Sequence, residues 1–153
     1  MSTIADFKPA AGGGIGSFID TSIAISSDDT ALANDDGTAN NNIAIGLNAG
    51  NGITAGANSV LIGTDVGFTN SLTKCFGLGY KALYAATAGG TNNVAIGDSA
   101  LYEVSAGGNI AVGGWGAGRY ITSGMYNIGI GQQALYGNST SKLTGSYNTG
   151  IGY

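Results

Sequence analysis

From about residue 21 onward, large apolar and small residues alternate in short bursts, each preceded by a polar residue and closed by glycine. Ile43-Ala44-Ile45-Gly46, Val94-Ala95-Ile96-Gly97, Ile110-Ala111-Val112-Gly113 and Ile128-Gly129-Ile130-Gly131 are clear copies. Val60-Leu61-Ile62-Gly63 and Phe76-Gly77-Leu78-Gly79 continue the series, and TSIAIS at 21–26 and GGGIG at 12–16 are weaker copies. Alternation with period two and β-branched side chains predicts a short strand at each copy, because successive strand side chains point to opposite faces. The closing glycines, Gly46, Gly63, Gly79, Gly97, Gly113, Gly131 and Gly152, are spaced by 17, 16, 18, 16, 18 and 21 residues. A unit of that size cannot hide its own apolar face, so neighbours are expected to stack as a quasi-one-dimensional solenoid. The fold predicted is all-β: a repetitive parallel β-solenoid or β-roll with rungs of about 17 residues, each holding two short strands and two turns. Seven rungs stacked at about 4.8 Å make a rod roughly 35 Å long.

Between the two bulky residues of each copy stands a small one, Ala44, Gly77, Ala95, Ala111, Gly129 or Gly150, with Leu61 the exception. One strand face is therefore bulky and the other bare and uncharged, where a solvent-facing surface would carry polar residues. A bare face suggests close approach of another backbone. The expected subunit interface comprises Ala44, Gly46, Gly63, Gly77, Gly79, Ala95, Gly97, Ala111, Gly113, Gly129 and Gly131. Asn precedes the strand in five copies, Asn42, Asn93, Asn109, Asn127 and Asn148, with Ser59 in another. Stacked Asn side chains can form hydrogen-bond ladders between rungs. After the glycine come two variable residues and Ala-Leu, as in Ala82-Leu83, Ala100-Leu101 and Ala134-Leu135, followed by Tyr84, Tyr102 and Tyr136. Four residues fit a second strand and a helical turn equally well. Tracts such as GTANNN and ATAGGTNN read as corners of variable length.

Composition narrows the function. Glycine supplies 29 of 153 residues without a Gly-X-Y period, which excludes collagen. Five basic and nine acidic residues leave a net charge of −4, a poor balance for binding nucleic acid, whose phosphates supply most of that affinity. No basic and apolar leader and no run of about 18 apolar residues is visible, so neither secretion nor a membrane partner is expected. Cys75 is the single cysteine, which leaves no intrachain disulfide or cysteine zinc cluster, and it is expected to be a small buried apolar residue.

The last repeats, GQQALYGNSTSKLTGSYNTGIGY at 131–153, closely resemble the Asn-Thr-Ala-Ile-Gly-x-x-Ala-Leu repeats of bacteriophage fibre and virion proteins. The Asn-x-Val-Ala-Ile-Gly pattern is also similar to the head repeats of trimeric autotransporter adhesins. That second resemblance implies a left-handed parallel β-roll wound into a homotrimer. It covers about 130 residues and resides in the recurrence of the pattern. No signal sequence, coiled-coil stalk or membrane anchor accompanies the repeats, and no C-terminal chaperone-like domain of the kind that often ends long tail fibres. The resemblance therefore implies a short virion protein: a head fibre, a capsid decoration protein or a fibre segment.

Candidate chemistry is sparse. Gly77-Leu78-Gly79-Tyr80-Lys81-Ala82, with Glu103 about 20 residues on, and Gly129-Ile130-Gly131-Gln132-Gln133-Ala134 both fit a Gly-x-Gly-x-x-Ala dinucleotide pattern. A true fingerprint needs a following helix inside a βαβ unit, and here a glycine-rich corner arrives instead. The absence of histidine removes the usual base of a nucleophilic triad and the usual zinc ligands. A glycosidase would need two carboxyl groups roughly 5–9.5 Å apart. Asp65, Asp98 and Glu103 are the only acids beyond residue 36 and fall at different phases of the repeat. Asp28, Asp29, Asp35 and Asp36 form an acidic cluster without EF-hand spacing. Trp115 and Arg119 in GGWGAGRY, with the tyrosines of residues 80–153, read as rung-end packing or as a surface for a host glycan or partner protein.

The expectation is a non-enzymatic virion structural protein without a cofactor, made in the host cytoplasm and incorporated into a phage particle. Its partners would be two further copies of itself and capsid or other virion proteins. Residues 1–20 would be a docking arm and 21–153 the solenoid. A host-binding adhesin or receptor-binding fibre fragment is the alternative, and a trimeric polysaccharide depolymerase the third.

Overall fold

A computed structural model describes residues 22–27, 30–35, 41–69, 72–87 and 89–153, so the proposed arm at 1–20 and GGGIG lie outside the described residues. Eight three-residue strands fall on the repeat copies. They are β1 (Ile23–Ile25), β2 (Ile43–Ile45), β3 (Val60–Ile62), β4 (Phe76–Leu78), β5 (Val94–Ile96), β6 (Ile110–Val112), β7 (Ile128–Ile130) and β8 (Thr149–Ile151). They form one parallel sheet in chain order, each strand in register with the next. The chain is a β-solenoid of stacked rungs, and none of the described residues forms a helix long and apolar enough to cross a membrane.

Each rung holds one strand rather than two. The Ala-Leu piece is a turn, although it is still bonded from rung to rung: Leu83 N–H donates to Ala100 O at 3.0 Å and Leu101 N–H to Ala117 O at 3.0 Å. Left-handed residues prevent it from extending, with φ of 54° and 56° at Lys81 and Leu83 and 56° and 46° at Ser99 and Leu101. Such a φ is uncommon away from glycine, particularly for a bulky residue. It turns the chain and drives each leucine inward.

The core is a narrow file inside the coil. Ala44, Leu61, Ala95 and Ala111, the central strand residues, are 0% exposed. They face Leu83, Leu101, Ile53, Leu72, Val104 and Ile121, all buried. So slim a coil has little spare room beside a large strand residue. Where Leu61 replaces the usual small residue, Gly50 and Gly67 stand opposite. A Cβ on them would lie 3.2 Å and 2.9 Å from Leu61 Cδ1.

That orientation corrects the expected interface. Ala44, Gly77, Ala95, Ala111 and Gly129 are buried in their own chain, and what packs on them belongs to the same coil, as the side chains of Val66, Leu61 and Leu83 do at Gly77 and the Ala134 carbonyl does at Gly129. The closing glycines Gly46, Gly63, Gly79, Gly97, Gly113 and Gly131 stack on one another. A Cβ on Gly46 would sit 2.5 Å from Gly63 O and one on Gly79 2.7 Å from Gly97 O. Small residues fill the inner position of the strand in every rung from β2 to β7 except that of Leu61, and the bulky flanking residues lie on the outer side.

The expected Asn ladder is present and buried. Ser59 N–H donates to Asn42 Oδ1 at 2.9 Å and Asn109 N–H to Asn93 Oδ1 at 2.8 Å. Asn127 N–H donates to Asn109 Oδ1 at 2.9 Å and Asn148 N–H to Asn127 Oδ1 at 2.9 Å. Each amide satisfies the next rung's backbone at a corner where the sheet ladder has ended, as buried polar groups require.

Candidate functional site

Inverting the strands puts their bulky flanks outside. The outer sheet face carries two columns of side chains, the first and last residues of β1 to β8, and 15 of those 16 are apolar, Thr149 being the exception. Ile25 is 47% exposed and Ile151 77%, while Ile43, Ile45, Val94 and Ile96 are half-buried by their neighbours along the column. No charged residue interrupts it. At about 4.8 Å per strand the face is roughly 34 Å long and roughly 10 Å wide.

A second surface runs along one corner. Phe68, Tyr84 and Tyr102 each lie five residues after a closing glycine. Stacking therefore places their rings 5.2 Å and 5.1 Å apart at 4° and 17°. In the next rung Gly113-Gly114 adds one residue, and Arg119 takes the aromatic position. Its guanidinium carbon lies 4.9 Å from the centre of Tyr102, 5.0 Å from Trp115 and 5.3 Å from Tyr120. Tyr136 closes the group, 5.4 Å from Trp115 and edge-on to Tyr120. Lys81 lies 5.0 Å and 5.2 Å from the rings of Tyr80 and Tyr84, and its hydrogen bond with the Tyr80 side chain raises it above the ordinary lysine value. Sequence reading placed the tyrosines but missed that Arg119 belongs to their column, because the inserted glycine shifts its phase.

The remaining candidates serve the scaffold. Gly77–Ala82 runs from β4 directly into the left-handed turn with no following helix, and Gly79 is packed against Gly97, so no cradle for a pyrophosphate exists there. Gly129–Ala134 behaves likewise, with Gly131 packed against Gly152. Asp65 accepts from Asn48 Nδ2 at 2.9 Å, and Asp98 from Ser99 Oγ at 2.7 Å. Glu103 pairs with Lys142 at 2.6 Å. Asp35 closes a turn onto Leu32 O, and Asp28, Asp29 and Asp36 lie outside the described residues. Cys75 is buried, but it occupies the Asn column. Its Sγ–H donates to Gly90 O at 3.1 Å, and burial pushes the thiol above its ordinary pKa. A depression of about 550 Å³ lies between corners, lined by glycine backbone, Thr91, Ser105, Met125 and Tyr126. The chain matches no protein-family model, no curated protein and no solved structure in the comparisons made.

Proposed function

We propose that the chain is a structural protein of a bacteriophage particle, a capsid decoration protein or short fibre, that works as a homotrimer packed through the outer face of β1 to β8. The observation that carries this reading is the continuous outer face, apolar at every position except Thr149. Soluble monomers rarely expose contiguous apolar patches beyond a few hundred Å², and this one is repeated on every rung. A strip only two side chains wide suits a shared axis, where three copies turn the same face inward and close the assembly. The phage assignment is supported by the resemblance of the repeats to fibre and virion proteins. Mechanically, in-register backbone bonds, the Asn ladder and the ring column resist bending, and a docking arm at 1–20 would fix one end to the virion.

Gold-labelled antibody against the chain, applied to purified particles that package its gene, tests the location. Label on the shell or on a fibre supports the reading; a chain present in infected cells and absent from particles overturns it. The aromatic corner favours a second reading, a receptor-binding segment, because rings and cations are displayed along the side of the rod.

A further inference from the structure

We infer that Arg119 and the rings around it form a binding site for a carboxylated saccharide, such as a uronic- or sialic-acid unit of a surface polysaccharide. The inference deepens the receptor-binding reading and is independent of trimer formation.

Three features converge on one rung and its two neighbours. The first is a cation without a counter-ion: Glu103–Lys142 is the one ion pair among the described residues, so Arg119 has no carboxylate partner. Such a charge is costly to desolvate unless something pairs with it. The second is the state of its nitrogens. Nε is buried and is the only buried side-chain nitrogen or oxygen among the described residues without a hydrogen-bond partner. The two terminal amino groups are not in that condition and make no hydrogen bond within the chain, so they reach solvent. The rings of Tyr102, Trp115 and Tyr120 surround the guanidinium within cation–π range and hold it in place. A planar fork held in this way is pre-organised for a carboxylate, which it can take through two parallel N–H···O bonds. The third is Trp115, which is 39% exposed beside that fork. An exposed aromatic ring offers the apolar surface on which the C–H groups of a pyranose rest, and its polar tip stays wet.

Charge favours the same ligand. The net −4 is concentrated near the N-terminus, and from residue 41 onward the chain carries four cations and three acids. Of those acids, Glu103 is paired with Lys142, while Asp65 accepts from Asn48 and Asp98 from Ser99. Glu103, the acid whose backbone N–H donates to Arg119 O, is therefore already paired with a cation of another rung. A neutral glycan would use Trp115 and leave the fork empty, so the site discriminates by the acid group.

Binding of the purified full chain to polygalacturonate and to polysialic acid, with neutral dextran and dextran sulfate as comparisons, tests the site. The expected result is saturable binding to at least one of the two carboxylated polymers and none to dextran. Arg119→Gln should weaken that binding at least tenfold, Trp115→Ala should weaken it comparably, and Lys74→Gln should leave it within twofold. Circular dichroism and molar mass confirm that each variant keeps its fold and assembly; if Arg119→Gln misfolds, Arg119→Lys, which keeps the charge and loses the fork, replaces it with the same expected loss. Binding to neither carboxylated polymer overturns the inference. So does equal binding to dextran, dextran sulfate binding that survives Arg119→Gln, or an equal loss with Lys74→Gln. Because the assay uses isolated protein, its failure leaves the virion location to the labelling experiment.

Discussion

Removing one amide from the buried ladder should cost far more than its size suggests. Asn109 is fully buried. Its Oδ1 accepts from the Asn127 N–H at 2.9 Å and from Asn127 Nδ2 at 3.0 Å. Its Nδ2 donates to Gly124 O at 3.0 Å and to Ala106 O at 3.2 Å. Asn109→Ala therefore strands a buried backbone donor and a buried carbonyl, each worth about 1–3 kcal/mol when left unsatisfied. The expected loss is about 4 kcal/mol, a large share of the roughly 5–15 kcal/mol that holds a domain together. Asn148→Ala is the matched control. That residue is half-buried on the last strand's corner, and its amide donates to Asn127 Oδ1 at 2.9 Å without supporting a further rung among the described residues. Its removal should cost about 1 kcal/mol, the net worth of an ordinary hydrogen bond. Urea unfolding followed by far-UV circular dichroism at one fixed protein concentration measures both. Equal losses, or an Asn109→Ala loss below about 1 kcal/mol, would refute the reasoning that the ladder satisfies the corners.

Other consequences follow from the same coil. Ala95→Leu overfills the narrow core and should lower stability by about 1–3 kcal/mol, measured by thermal melting. Gln133→Gly should raise stability by about 1 kcal/mol in urea unfolding, since φ is 58° there and the left-handed conformation costs a side-chain residue about that much. Cys75 should react with a thiol reagent only after unfolding, because burial holds the folded thiol neutral and raises its pKa. A raised folded pKa contributes stability that is intact below the ordinary thiol pKa of about 8.5 and is lost as pH rises above it. The Cys75→Ser variant, which repeats the chemistry of Ser59 one rung earlier, should lose that dependence in pH-resolved melts.

Period-two alternation located the strands well: Ile43–Ile45, Val94–Ile96 and Ile128–Ile130 are each the residues that alternate in sequence. The Asn column was equally legible, because a buried amide is needed at the same corner of every rung. Alternation says that two faces differ, however, and not which one is inside. Volume decides that. A coil this thin admits Ala95 or Gly77 at the strand and takes its bulk from Leu83 and Leu101 on the opposite wall. The repeated Ala-Leu carried this signal, but its left-handed φ values have no mark in the residue types, since leucine seldom adopts them. Arg119 was legible as a neighbour of Trp115 but not as a member of the tyrosine column: a single added glycine moved it off that phase, and only stacking of the rungs returned it.

The most direct test of the central claim is the molar mass of the purified chain by light scattering, beside the double variant Ile45→Lys, Ile96→Lys. Three copies joined through the outer sheet face predict a wild-type mass of about 45 kDa, three times the 15.0 kDa chain. The variant should fall to 15.0 kDa with its circular dichroism retained, because both residues point out of the coil. A wild-type monomer at micromolar concentration, or a variant that keeps the wild-type mass, would contradict it.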